Sequence, residues 1–185
     1  VGVVSQPDRP KGRGRAVHPS PVSALALEHA LPLWRPEKVG EPEIAEALGA
    51  LEPDLGVVVA FGQFIPKRIR ELPSKGYLIN AHASLLPDYR GAAPIARALL
   101  DGRSETGISV MRVEKEMDAG AVARVHRLSI EPGEDSGSLT ARLAEVAALA
   151  IGEALDAIAD GRVTWTEQDH DAASFAPKIT TADAQ

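Results

Sequence analysis

The chain is predicted to fold as an α/β domain around a doubly wound, mostly parallel sheet, and three observations lead there. Strand-like segments alternate with helical ones along its length, the pattern of a sheet covered by crossover helices. Leu55-Gly56-Val57-Val58-Val59-Ala60 is a continuous apolar run of strand length, as expected of a parallel strand covered on both faces. No segment repeats or falls to low complexity, and 185 residues suffice for one domain with a substantial core.

Taken in order, Val1–Ser5 reads as a buried strand; a start inside a strand, without methionine, predicts truncation at the N-terminus. Asp8–Pro19 carries proline, glycine and arginine without apolar periodicity, which predicts a mobile loop. Its Gly12-x-Gly14 lacks the spacing and strand-to-helix context of a dinucleotide fingerprint. Ser20 followed by Pro21 predicts a helix N-terminus, with Val22, Leu25 and Ala26 on its inner face and His29 packed or at the surface. Leu33–Pro36 is extended, and Pro42 opens a second helix whose apolar stripe is Ile44, Leu48 and Leu51. Phe61-Gly62-Gln63-Phe64-Ile65-Pro66 then leaves the carboxyl end of the apolar strand, where ligands of open α/β sheets bind. Its phenylalanines fit either a core or a ligand wall.

Tyr77-Leu78-Ile79 opens a short strand in which Asn80 and His82 alternate with Ala81 and Ala83. A period of two places Asn80 and His82 on one face. An amide beside an imidazole can stabilise a developing oxyanion and move a proton. Ser84-Leu85-Leu86-Pro87 is read as a rigid turn, and Arg90–Pro94 leads into a helix over Ile95–Leu100. Strands over Gly107–Val113 and Val122–Ile130 flank the loop Glu114–Gly120, which holds Asp118. Ser136 or Ser138 starts the longest helix, which runs to about Asp160 and stops at Gly161, with Leu139, Leu143, Val146, Ala150, Leu155 and Ile158 as its buried stripe. Val163–Thr166 is expected as an edge strand. Asp169-His170-Asp171 reads as a surface turn, because adjacent side chains point to different sides.

Composition narrows the function classes. Apolar and charged contents of 44% and 25% are ordinary for a globular protein, and no run resembles a membrane span or a signal peptide. With no cysteine there are no disulfides or thiolate metal sites, which suits a reducing, cytoplasmic compartment. A net charge of −6 argues against indiscriminate nucleic-acid binding. Yet Arg9, Lys11, Arg13 and Arg15 fall within one short segment, and a local cluster against an acidic whole points to a polyanion contact.

INAHASLLPDYRGAAPI followed by EKEMDAG, with SQPDRPKGRG near the start and FAPKIT near the end, resembles the folate-dependent formyltransferases, and within them the members acting on methionyl-tRNA. The resemblance implies a Rossmann-like formyltransferase catalytic domain over residues 1–185, lacking the family's first strand and helix and the small tRNA-binding barrel that follows. It implies transfer of a formyl group from 10-formyltetrahydrofolate to the α-amino group of initiator methionyl-tRNA, by a monomer that needs no metal. Asn80, His82 and Asp118 would be the catalytic trio: Asn80 and a protonated His82 stabilise the oxyanion, and Asp118 holds the imidazole. Ser84, Leu85, Leu86 and Pro87, with Phe61, Gly62, Gln63, Phe64 and Ile65 and with Met117 and Gly120, would hold the folate. Arg9, Lys11, Arg13 and Arg15 would meet the tRNA.

The sequence departs from the family at two places: Ala121 stands where an acidic residue is usual, and Tyr89 where tryptophan is common. Two other readings remain open at this point. A sister formyltransferase acting on a sugar nucleotide or glycinamide ribonucleotide would share the trio, and a non-catalytic RNA-binding module would not respond to folate.

Overall fold

The computed structural model of the chain describes residues 1–11 and 16–184, in two units. The first comprises Val1–Gly56 and Phe61–Leu78. Its elements run β1 (Val3–Val4), β2 (Arg9–Lys11), β3 (Ala16–His18), α1 (Pro21–Glu28), β4 (Leu33–Trp34), α2 (Pro42–Gly49) and α3 (Lys67–Arg70). β1 and β4 pair in parallel, Val3 opposite Leu33. Gly2 permits this packing, because a Cβ there would lie 2.5 Å from Leu51 Cδ1 and 2.7 Å from the Trp34 ring.

Helix α1 is capped as the sequence predicts: the Ser20 hydroxyl accepts from Ser23 N at 3.0 Å, and Pro21 takes the first turn. Its inner face differs from the expectation. Ser23 and Ala26 are buried, while Val22 and Leu25 are exposed, so the apolar positions do not mark the packed side of this short helix. In α2, Ile44 and Leu48 are half-buried and Leu51 is more exposed. The expected loop from Asp8 to Pro19 is corrected in part. β2 and β3 pair antiparallel, with Arg9 opposite His18. The described side chains Arg9, Val17 and His18 are exposed, so backbone pairing forms there without a buried apolar period.

The second unit comprises Val57–Ala60 and Ile79–Gln185. Its elements are β5 (Gly56–Val58), β6 (Leu78–His82), β7 (Arg90–Gly91), α4 (Pro94–Leu100), β8 (Glu105–Arg112), β9 (Val122–Ser129), α5 (Ser136–Ala159), β10 (Phe175–Ala176) and a closing 3₁₀ turn, Thr181–Ala184. The sheet order is β5-β6-β8-β9. β8 runs antiparallel to both neighbours, with Asn80 opposite Met111 and His82 opposite Ser109. The short connection from β8 to β9 allows only an antiparallel return. β7 and β10 pair in parallel. The α/β, Rossmann-like class therefore holds, with a mixed sheet.

Two expectations are adjusted. The apolar run at Leu55–Ala60 forms only a short strand; Val57 and Val59 are 44% and 52% exposed, so its side chains are not covered on both faces. The edge strand at Val163–Thr166 reduces to a bridge between Thr166 and Val122, beside Trp165, whose ring lies under the Arg112 guanidinium at 4.3 Å. Helix α5 starts at the Asp135 cap, which accepts from Ser138 N at 2.8 Å, and ends before Gly161 in a left-handed turn. It packs on β8 and β9 through Leu139, Leu143, Ala147, Ala150, Ala154, Ala157 and Ile158. Alanines carry most of this stripe; Val146 is half-buried and Leu155 sits at its rim, contrary to their expected burial. Among the described residues, no helix is long and apolar enough to cross a membrane.

Candidate active site

Strand β6 carries the polar pair that the sequence singles out. Asn80 is half-buried and His82 is 6% exposed, both on the face set by strand alternation. Among the described residues the Asn80 side chain has no hydrogen-bond partner. Its amide is therefore uncommitted while its backbone is fixed in the sheet.

His82 is held on both sides. Nε2 donates to the Tyr89 carbonyl at 2.8 Å, and Nδ1 faces Asp118 Oδ2 at 3.5 Å. A carbonyl and a carboxylate both accept, so a ring with both nitrogens protonated answers both partners. Asp118 therefore stands beside the imidazole, at a separation longer than a typical hydrogen bond. The Tyr89 carbonyl is a partner that sequence reasoning missed. It occupies Nε2 of the ring.

The sequence brings Asp118 to this point by unusual local means. Its φ of 52° lies in the left-handed region, which aspartate tolerates better than most residues. The same carboxylate oxygen, Oδ2, accepts from Gly91 N at 2.9 Å. Two carbonyls of the loop, those of Asp118 and Gly120, accept from Gln168 Nε2 at 2.9 and 2.7 Å. Gly120 is required there, because a Cβ would meet the Arg112 carbonyl oxygen at 2.1 Å. Ala121, in the place of the usual acidic residue, is buried.

The turn after β6 is pinned from β8. Ser109 Oγ donates to the Ser84 carbonyl at 2.7 Å and accepts from Leu86 N at 3.1 Å, while Ser84 Oγ donates to the Asp88 carbonyl at 2.5 Å. Ser84 and Ser109 are fully buried. The Ser84 hydroxyl is thus occupied within the turn. Tyr89 is anchored at its far end: its hydroxyl donates to Asp101 at 2.7 Å and accepts from Arg103 at 2.8 Å. Burial and the Asp101 carboxylate push its phenol up from its ordinary value.

Two clefts border this region of the second unit. One, of about 330 Å³, is lined by Arg112, Glu114, Glu116, Gly120 and His170. The other, of about 250 Å³, is lined by Leu86, Pro87, Val122 and Gln168. Asp169-His170-Asp171 forms a turn as expected, with His170 Nδ1 at 3.2 Å from Arg90 Nη2.

The remaining predicted site residues divide between the units. Met117 and Gly120 lie in the second unit, with the Met117 side chain 67% exposed. Phe61, Gly62, Gln63, Phe64 and Ile65 lie in the first. There Gln63 is engaged, donating to the Pro36 carbonyl at 3.0 Å and accepting from Val39 N at 2.7 Å, while Phe64 is 71% exposed. Of the basic segment, Arg9 pairs with Glu37 at 3.1 Å and Lys11 ends β2. Arg13 and Arg15 lie outside the described residues.

A family model described as formyl transferase matches residues 1–155. The methionyl-tRNA formyltransferase of Trichlorobacter lovleyi is 45% identical over 179 residues, covering 97% of this chain and 56% of that protein. The methionyl-tRNA formyltransferase of Sulfurihydrogenibium sp. is 43% identical over 186 residues, covering 100% of this chain and 60% of that protein. The chain thus spans little more than half the length of these relatives. Among solved structures, glycinamide ribonucleotide transformylase 1 from Symbiobacterium toebii aligns with a TM-score of 0.71 at 20% identity, covering 82% of this chain and 77% of that one. HypX from Aquifex aeolicus in complex with tetrahydrofolic acid aligns at 0.69 and 20% identity, covering 85% of this chain and 27% of that one. At such identities the structural likeness speaks for the fold alone.

Proposed function

Since the chain belongs to the formyl transferase family, we propose that it carries the catalytic part of an enzyme that moves a formyl group from 10-formyltetrahydrofolate to the α-amino group of initiator methionyl-tRNA. The observation that carries this reading is the uncommitted Asn80 amide beside a His82 gripped by Asp118 and the Tyr89 carbonyl. Relatives above 40% identity along nearly the whole chain bear the name methionyl-tRNA formyltransferase, which favours that acceptor over a sugar or ribonucleotide amine.

The chemistry asks for little beyond these groups. The free amine attacks the formyl carbon, a new C–N bond forms, and the carbonyl π pair moves onto oxygen. Asn80 donates to that oxygen from a side chain with no other partner to give up. As the intermediate collapses, the bond to the folate nitrogen breaks and that nitrogen keeps the pair. The attacking nitrogen must lose one proton and the leaving nitrogen gain one. With Nε2 committed to Tyr89, proton traffic falls to Nδ1 and Asp118, directly or through a water. Their 3.5 Å separation is of the kind that shortens when substrate closes the site.

Within the second unit, the folate is proposed to meet Leu85, Leu86, Pro87, Met117 and Gly120. Because the Ser84 side chain is engaged, that residue would contribute backbone groups. Arg9, Lys11, Arg13 and Arg15 are proposed to take tRNA phosphates, a contact that a protein of net charge −6 needs a local cluster to make.

The test supplies 10-formyltetrahydrofolate with one of three amines: methionyl-tRNA, glycinamide ribonucleotide or an amino-sugar nucleotide. Mass spectrometry of the acceptor should find the added formyl group on methionyl-tRNA alone. Formylation of either small amine in preference to the tRNA would overturn the acceptor assignment.

A further inference from the structure

Gln168 lies outside residues 1–155, which carry the family match, and in a polar stretch that suggests only a surface turn. In the structure it is 7% exposed and makes four hydrogen bonds. Its Oε1 accepts from Arg90 Nε at 3.0 Å and from Arg90 Nη2 at 2.7 Å. Its Nε2 donates to the carbonyls of Asp118 and Gly120. Arg90, itself 5% exposed, sits between the two residues whose backbones hold the acid–base pair: Tyr89, which takes His82 Nε2, and Gly91, which donates to the Asp118 carboxylate. The bonds therefore close a ring, from the Asp118 carboxylate through Gly91 and Arg90 to Gln168 and back to the Asp118 carbonyl.

We propose that Gln168 is the positioning residue of this site, whose amide fixes the left-handed turn at Asp118 and so sets where the carboxylate meets His82. This inference rests on the formyl-transfer reading for its kinetic consequence, though not for its geometry. Only a primary amide serves both ends, because Arg90 offers donors and the loop offers acceptors. A carboxylate at 168 keeps the Arg90 end and loses the loop end. Asp118 stands at φ 52° and Gly120 against the Arg112 carbonyl, a strained shape that outside contacts must hold.

Gln168→Glu separates a role in the loop from a role in anchoring Arg90. At saturating substrates it should lower kcat by roughly 10- to 100-fold, since small misplacements of reacting groups cost on that order. KM for the folate should stay within about twofold if binding groups are untouched. In an Asp118→Asn background the same change should cost less than about twofold, because the group it positions is already disabled. The ring ¹⁵N resonances of His82, read by NMR without substrate, should move in Gln168→Glu. A wild-type kcat, or the same loss in both backgrounds, would overturn the proposal. If the wild-type protein transfers no formyl group at all, the functional reading fails by itself. The NMR arm then decides: shifted His82 resonances support positioning, and unshifted ones overturn it. Should Gln168→Glu not fold, Gln168→Met, of similar length and without either set of bonds, takes its place under the same criteria.

Discussion

Two loops that the sequence singles out, Phe61–Ile65 in the first unit and Met117–Gly120 in the second, are built alike. Each holds a left-handed residue, Gly62 at φ 76° and Asp118 at φ 52°. Each extends a large apolar side chain into solvent, Phe64 and Met117. Each is fastened by one glutamine amide that spends both its oxygen and its nitrogen. The difference lies in where the glutamine comes from and what it holds. Gln63 belongs to its own loop and grips the segment at Pro36 and Val39. Gln168 is remote in sequence and grips the carbonyls of the loop itself, at the residue that faces the histidine. A loop that only presents a surface can be tied from within; one that aims an ionised group is held from outside at that group.

The largest effect should fall on the group the second loop addresses. His82→Ala should lower formyl-transfer turnover by about two to four orders of magnitude, with far less change in folate affinity. Single-turnover rates beside a folate titration would show it, and near-normal turnover would remove His82 from the chemistry. Next comes the fastening of the first loop. Gln63→Ala leaves Val39 N, on a buried residue, and the Pro36 carbonyl without their partner. The loss should be about 1–3 kcal/mol by urea denaturation. If stability is unchanged, the two glutamines are not equivalent braces. The smallest effects belong to the exposed tips. Phe64→Ala and Met117→Ala should each leave stability within about 0.5 kcal/mol of wild type. Met117→Ala should weaken reduced-folate binding by up to roughly 2 kcal/mol, as loss of an apolar contact surface would. A calorimetric titration of Met117→Ala that matches wild type would mean that this tip does not meet the folate.

What the sequence disclosed and withheld follows from the kind of interaction involved. The strand around Asn80 and His82 was legible because alternation is a property of neighbouring residues, and the cap at Ser20 and the stop at Gly161 were local as well. Asp118 was tied to His82 only through the family pattern, as no periodicity links residues so far apart. Ser109 left a faint trace, a hydroxyl in the buried run Ile108–Met111 that needs a partner. Gln168 left none, for its loop partners are backbone carbonyls and every residue has one. The β2–β3 ribbon was missed because its described side chains Arg9, Val17 and His18 are exposed, so no buried alternation marks it. The buried side of α1 was misread because the helix is apolar nearly all round and packs through its small residues, Ser23 and Ala26.

The stretch Tyr89-Arg90-Gly91 has an implication for how this site can evolve. Its contacts to His82 and Asp118 are made by a peptide oxygen and a peptide nitrogen, atoms that every codon supplies except proline's at the nitrogen. Exchange of the side chain at 89 between tyrosine and tryptophan therefore need not erase the histidine's partner. Gly91 is the exposed point in this inheritance: at φ 119° a side chain is strained, and its Cβ would come within 3.0 Å of the Ala176 oxygen. Drift can rewrite the aromatic at 89, while a change in either of the first two bases of the glycine codon would move the template on which His82 and Asp118 are set.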